Sequence, residues 1–403
     1  MLMTAQAVEF DDVRAKRNAV ILAVAQALYA SGTVALIATA GLVGTQLAPS
    51  KAWATLPVST FVIGTMVATI PAALLMRRIG SKAGFILGAG VGVAAGILSV
   101  YAIYASSFVL FSLSTAMHGV YQASSGYFRF AAADGASPAF KAKAISWVLT
   151  GGVAAALFGT LIVMQTTNLL APVIFAGCYV ATAVLAILAM LVLTFLDLPR
   201  GTNEESGPSR PLAEIVRQPR LIVAIACGMM SYGIMNLVMT ATPIAMIGCG
   251  FAIADSSWVI QWHVLAMFVP SFFTGTLITR FGVEKVTVAG LLVLAGSGIA
   301  ALLGISFANF AVALILLGLG WNFAFIGATT MVTDCYRPAE RRKVQALNDF
   351  AIFVTVAIAS LLSGQLLDGF GWNAVNYALF PMAGLALLLV FWQSLLPRRR
   401  RLA

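Results

Sequence analysis

Long apolar runs, cut at fairly regular intervals by short polar, glycine or proline turns, make up most of this chain. A helix needs about 20 apolar residues to cross a hydrocarbon core roughly 30 Å thick. Runs of that kind fall near residues 19–46, 53–76, 84–104, 108–130, 145–166, 169–195, 221–247, 256–279, 286–305, 310–333, 347–366 and 374–393. The pattern predicts twelve membrane-spanning helices. Their ends are marked by charge or by helix breakers, as in Arg77-Arg78-Ile79-Gly80-Ser81-Lys82 and Tyr336-Arg337-Pro338. The longest polar stretch after the N-terminal tail, Asp197 to Arg220, separates six runs from six. The expected organisation is a six-helix bundle over 1–196, a cytoplasmic linker over 197–220 and a second six-helix bundle over 221–403.

The halves echo one another. Asp134, Pro138, Ala139 and Lys143 recur 200 residues later as Asp334, Pro338, Ala339 and Lys343. Arg78-Ile79-Gly80 recurs 202 residues later as Arg280-Phe281-Gly282. Parallel repeats of six helices are a common way of building alternating-access carriers. With these repeats the chain resembles the major facilitator superfamily over essentially its whole length. The resemblance implies an all-α membrane protein of two pseudo-symmetric six-helix bundles. The loops after the second and eighth helices are similar to that family's G-x-x-x-D-R-x-G gating motif. Arg78 and Gly80 match one copy; Gly275, Arg280 and Gly282 match the other. Arg77 and Thr279 stand at the acidic position, so the usual charge latch is missing from both copies. Arg78, Gly80, Arg280 and Gly282 are the expected gating residues.

Charge settles the expected orientation. With the N-terminus in the cytoplasm, every Lys and Arg of the 24 except Lys51 lies in or beside a cytoplasmic segment, as the positive-inside rule requires. Both termini are then cytoplasmic, in a bacterial inner membrane. The net charge of +10 reads as topogenic charge facing anionic lipid and not as a nucleic-acid surface. A composition 61% hydrophobic and 9% charged excludes an ordinary soluble domain. The first apolar run is too long for a secretory signal and reads as a retained anchor. Cys178, Cys227, Cys249 and Cys335 make no disulfide framework.

An ionisable group deep in a membrane helix points to a functional site. Asp134, Asp334, Asp349 and Asp368 all fall near helix ends, so no buried carboxylate relay is visible. His118, His263 and, nearer the cytoplasmic edge, Arg129 are the deep polar candidates. Sulfur is the second unusual feature: residues 221–247 hold Met229, Met230, Met235, Met239 and Met246 out of 15 methionines. Met235, Met239 and Met246 fall within about 40° on a helical wheel, and His263 and Met267 share a face of the next helix. Folding the two helices as a hairpin about residue 251 sets Met239 opposite His263 and Met235 opposite Met267. Thioether and imidazole together favour Cu(I), although Met is also a common filler of apolar gaps.

Met235-x-x-x-Met239 followed by His263-x-x-x-Met267 resembles the paired signature of CcoA-like copper importers, with Cys227 and Cys249 matching that family's cysteines. The resemblance implies copper import in support of haem–copper cytochrome c oxidase assembly, with Met235, Met239, His263 and Met267 handling the metal. Cys249 would receive copper outside and Cys227 would help release it inward, or Cys227 is simply a small buried residue. Copper, free or as a small complex, is then the expected partner besides lipid, the chain is expected to be a monomer, and no prosthetic group is expected. Nothing in the sequence supports an enzyme or an ATP-driven pump. The alternative is a carrier or exporter of a small organic solute such as a vitamin or drug. Gln26, Tyr29, Tyr121, Gln122, Asn236, Trp321 and Asn322 would then line its cavity. Reporter fusions test the topology: a C-terminal fusion is expected to report a cytoplasmic location, and a periplasmic one would require an odd number of spans.

Overall fold

The computed structural model describes residues 12–133, 136–198, 209–337 and 340–395. Asp134, Pro338, Ala339, the middle of the expected linker (199–208) and both chain ends lie outside the described residues. Fifteen α-helices follow in order: α1 Asp12–Leu47, α2 Leu56–Ile79, α3 Ser81–Tyr104, α4 Phe108–Ser125, α5 Phe128–Ala133, α6 Pro138–Thr166, α7 Ala176–Leu193, α8 Leu212–Ile215, α9 Pro219–Gly248, α10 Ile253–Phe268, α11 Ser271–Phe281, α12 Val283–Leu302, α13 Phe307–Thr333, α14 Arg341–Tyr377 and α15 Leu379–Leu395. Inside lipid a backbone has no water to bond, so helices that satisfy their own amides are the natural solution. Eight helical stretches are long and apolar enough to span a membrane, and α10 with α11, bent by 41° at Val269–Pro270, make a ninth. Gly371, at φ 79°, divides the continuous Lys343–Leu395 stretch into two. With α4 and α6 this gives the twelve spans read from the sequence.

Several edges differ from the sequence reading. The fourth span stops at Ser125 and resumes as α5 after Gly126-Tyr127. The sixth begins at Ala176, because turns around Pro172 and a left-handed Phe175 occupy the preceding residues. The eleventh begins at Arg341, which puts Asp349 two turns inside α14 and not at its end.

Helices α1–α7 pack chiefly on one another, as do α9–α15. The turn between α2 and α3 and the turn between α11 and α12 are alike. Gly80 (φ 89°, ψ 150°) and Gly282 (φ 92°, ψ 149°) adopt one conformation, in a region essentially reserved for glycine. Each half also ties the segment leading into its first helix to the loop ahead of its fifth. Asp12 accepts hydrogen bonds from the Ser137 amide (3.0 Å) and hydroxyl (2.8 Å). In the second half Arg210 donates to both carboxylate oxygens of the fully covered Glu340, each at 2.8 Å. The amides of Arg210 and Arg337 donate to the same carboxylate at 2.9 Å. Arg220 bridges Glu284 (2.8 Å) and Asp334 (2.7 Å), joining the starts of α9 and α12 to the end of α13.

The close approaches of the two halves lie at one end of the bundle and midway along it. Call the end bearing the start of α1 the terminal end, and the end bearing the α1–α2 connection the far end. At the far end a Cβ on Gly41 of α1 would stand 3.2 Å from Ile244 Cδ1 of α9. One on Gly364 of α14 would stand 2.5 Å from Thr55 Oγ1 and 3.1 Å from the Ala52 carbonyl. Midway along, Gly152 of α6 lies against the Phe268 ring of α10, at 3.5 Å. Toward the terminal end, among the described residues, the principal contacts of α4, α5 and α13 stay within their own halves. The close approaches of the two halves therefore lie away from the terminal end, the end at which a path between them can open.

Two outcomes follow from these contacts. Gly41→Leu has no room at the seal, so it should favour opening of the far end. Labelling of Ala38→Cys by an impermeant maleimide, in a Cys249→Ser background, should rise relative to the glycine parent; equal labelling would show that the seal is not set there. Glu340 is held well below the usual carboxylate range, chiefly by the Arg210 side chain and, against the opposing effect of desolvation, by the backbone amides of Arg337 and Arg210. A carboxylate with a depressed folded-state value stabilises the fold above its unfolded value, and that contribution is lost on acidification. From about pH 6 to about pH 4 the parent's melting temperature should fall more steeply than that of Glu340→Gln, which starts lower.

Candidate functional site

The second half carries an aromatic stack, two of whose rings pack against a cluster shared with the first half. Trp321 and Phe325 stand four apart on α13, hence on one face, and their rings stack at 4.9 Å with planes 12° apart. Tyr232 of α9 joins them, 5.2 Å from Phe325 at 25° and 5.5 Å from Trp321 at 35°. Tyr232 and Phe325 are half-buried, and the Trp321 Nε1 donor is buried without a partner. Asn236, one turn beyond Tyr232, receives a 3.4 Å hydrogen bond from the Thr240 hydroxyl. A platform of three near-parallel rings offers π surface to a flat ligand, and offset stacking of such rings contributes about 0.5–1.5 kcal/mol per pair.

The first half contributes a polar cluster. Tyr29 of α1 meets Tyr121 of α4 edge-on at 4.8 Å. His118, one turn earlier on α4, lies 3.0 Å from the Ser114 carbonyl through Nδ1. That carbonyl can only accept, so Nδ1 carries the proton and Nε2 is an acceptor. The Tyr29 and Tyr121 hydroxyls and His118 Nε2 are all buried without a partner, around a small pocket that Thr33 and Thr182 also line.

The register of the second half fixes depth. A Cβ on Gly228 of α9 would stand 3.3 Å from Ile352 of α14 and 3.9 Å from Ala328 of α13, and one on Gly233 would stand 3.0 Å from Thr355. Measured from the Gly228 level, Phe325, Tyr232 and Trp321 rise about 4.5, 6 and 10.5 Å toward the far end, while Asp349 lies about 4.5 Å toward the mouth. Asp349 continues the α14 stripe of Ile352, Phe353 and Val356. Those residues pack in a cluster shared with Leu36 and Ala40 of the first half, so Asp349 faces the gap. Its carboxylate accepts a 3.1 Å bond from Asn348 and is exposed, as is Arg129 on α5 across the gap. Arg129 and Asp349 interact electrostatically, and Asp349 does so with Tyr127 and Tyr232 as well.

Sequence reasoning selected a different set. Met235, Met239 and Met267 are buried in one apolar core shared with Cys227. His263 is fully buried, and its Nδ1 lies 2.8 Å from the Leu314 carbonyl of α13. Helix α10 packs chiefly on α13 and α6, whereas α9 packs on α14 and α13, so the two are not the closely packed hairpin assumed from their succession. Cys249 is exposed at the far end of α9. Arg78 and Arg280 are exposed, with the Arg280 guanidinium 5.3 Å from the Phe281 ring centroid. Asn322 binds the Met267 carbonyl and Ser271 at 2.6 Å each and accepts from Thr274, which makes it interhelical glue. Among the described residues no group of three or more His, Cys, Asp or Glu could hold a metal ion. Trp321 was visible in the sequence; Tyr232, Phe325 and the Arg129–Asp349 juxtaposition were missed, although the Trp321–Phe325 spacing was a usable signal.

Comparison with known proteins bears on this choice. The Major Facilitator Superfamily profile matches residues 226–402. The chain is 48% identical over 381 residues to the riboflavin transporter RfnT of Brucella anthropi, covering 94% of this chain and 96% of that protein. It is 27% identical to YdeG of Bacillus subtilis, an uncharacterised transporter of the same type, over 90% of this chain and 88% of that one. Two solved structures share the fold at low identity. The POT family transporter PepTSo has a TM-score of 0.74 at 12% identity, over 96% of this chain and 98% of its own. The human organic anion transporter MFSD10 has a TM-score of 0.66 at 13%, over 93% and 99%. The RfnT likeness overturns the expectation of copper import, of copper as the partner and of a role in cytochrome oxidase assembly. In the structure the methionines lie in a packed apolar core, and His263 bonds the Leu314 carbonyl through Nδ1 while its Nε2 has no partner. The ligand role of those residues rested on copper as the substrate.

Proposed function

Because the chain belongs to the major facilitator superfamily, a carrier and not an enzyme, we propose that it moves a flat aromatic vitamin of the riboflavin class across the bacterial inner membrane by alternating access. The observation that carries this reading is the Tyr232–Trp321–Phe325 stack on the cavity wall. A fused-ring substrate gains most from such a surface, and a small hydrated cation gains least. The likeness to a riboflavin transporter supports the same class of substrate.

The distribution of Lys and Arg supports a cytoplasmic location for the terminal end and both chain ends. On that orientation the described conformation is open inward and sealed outward. The two bundles rock as units, joined by the segment around 197–220, and the loops bearing Arg78-x-Gly80 and Arg280-x-Gly282 dock on helix ends when the inner mouth closes. The shared glycine conformation of those loops supports a matched role.

Uptake of labelled riboflavin by a riboflavin-auxotrophic strain lacking its own carrier tests the function directly. Cells with this gene should accumulate vitamin well above vector controls, and their copper uptake should equal the controls. Absence of vitamin uptake at normal protein level would refute the reading. Phe325→Ala and Trp321→Ala should each weaken uptake by about 2- to 10-fold in apparent affinity, the equivalent of one lost stacking pair.

A further inference from the structure

The mouth of the cavity carries opposite charges on opposite walls. Arg129 stands on α5 of the first half and Asp349 on α14 of the second; both are exposed and they interact electrostatically. The Arg129 guanidinium lies 4.8 Å from the Phe130 ring centroid, and Asp349 extends a stripe that is otherwise Ile352, Phe353 and Val356. A charge on a membrane helix is costly and generally marks a pathway. The nearest ring of the platform, Phe325, lies about 9 Å deeper along the helix axis. A three-ring heteroaromatic is of similar length, so one with its far ring on Phe325 brings its other end to the level of Asp349.

We propose that Asp349 and Arg129 read the hydrogen-bonding edge of the substrate ring, the imide in which an N–H lies between two carbonyls. The Asp349 carboxylate accepts from the N–H, and the Arg129 guanidinium donates to a flanking carbonyl. An edge of alternating acceptor and donor satisfies both charges at once as water leaves the closing mouth, where an unsatisfied charge would be costly. The ligand then bridges the halves, with its face on the second and its edge on both, so binding favours closure. Riboflavin and its ring analogues have such an edge; flat aromatics without an imide do not. The inference rests on the flavin-carrier reading above.

The test is flavin fluorescence quenching by the purified full-length protein in lipid nanodiscs, with riboflavin and N3-methylriboflavin as probes. The methyl group removes the N–H and leaves the stacking face intact. The parent should bind riboflavin about tenfold more tightly than the methylated probe, the scale of one hydrogen bond to a charged group. Asp349→Ala should lower riboflavin affinity to that of the methylated probe while leaving the probe's own affinity unchanged, which also shows that the variant is folded. Arg129→Gln should weaken both ligands, since both keep their carbonyls. Equal binding of the two flavins by the parent, or discrimination that survives in Asp349→Ala, would overturn the proposal and leave the carrier reading standing. A parent that quenches neither flavin would overturn both. Slower transport by Asp349→Ala with discrimination intact would make the pair a latch between the halves and not a reader of the ring.

Discussion

Closure at one end of the bundle governs everything else in this molecule. The halves come together where small residues let helices approach: Gly41 against Ile244, and Gly364 against the turn at Ala52–Thr55. Lipid supplies no hydrophobic force between helices, so close van der Waals fit at small residues is what holds them. Away from that fit, the principal contacts of α4, α5 and α13 stay within their own halves. The cavity, the exposure of Asp349 and the access to the aromatic stack are consequences of that single asymmetry.

A carrier that switches which end is sealed must move its halves without deforming them, and the loops outside the lipid show how this is met. Asp12 clasps Ser137 in one half; Arg210 and Glu340 clasp the corresponding loop in the other. The Glu340 carboxylate, with four donors around it, welds the approach to α9 to the start of α14. Arg220 adds a second tie through Glu284 and Asp334. These polar knots lie at loops, where water reduces the cost of charge, and so the bundles are stiffened without burying ions in the membrane.

How much of this could be read from residues alone depends on the kind of information each part needs. The apolar runs and the repeat of Arg78-x-Gly80 at Arg280-x-Gly282 are local or periodic properties, and the structure has the runs as helices and the repeat as one shared glycine conformation. The Met235–Met239 and His263–Met267 argument needed α9 and α10 to be packed neighbours because they are consecutive. In the fold α10 turns its histidine to Leu314 of α13, a partner 51 residues away that no spacing rule indicates. Asp349 was read as a helix end because the apolar run begins near 347, whereas α14 starts at Arg341 on polar residues. Asn322 had the right composition for a cavity residue but is consumed by Met267, Ser271 and Thr274. Tyr232 carried no signal in the sequence, since its meaning comes from two rings on another helix.

The energetics of the aromatic platform favour transport over storage. Contacts with three rings, at about 0.5–1.5 kcal/mol each, give a few kcal/mol, whereas micromolar affinity needs about 8. The open cavity therefore offers a docking surface and not a tight site. The remainder has to come from burying the other face of the ligand and from desolvated polar contacts made as the second wall closes. An interaction formed only on closure biases the equilibrium between the two conformations by its differential affinity. A ligand held mainly by the closed arrangement is released again when either end opens, so a modest surface on one half and the missing contacts on the other give both loading and unloading.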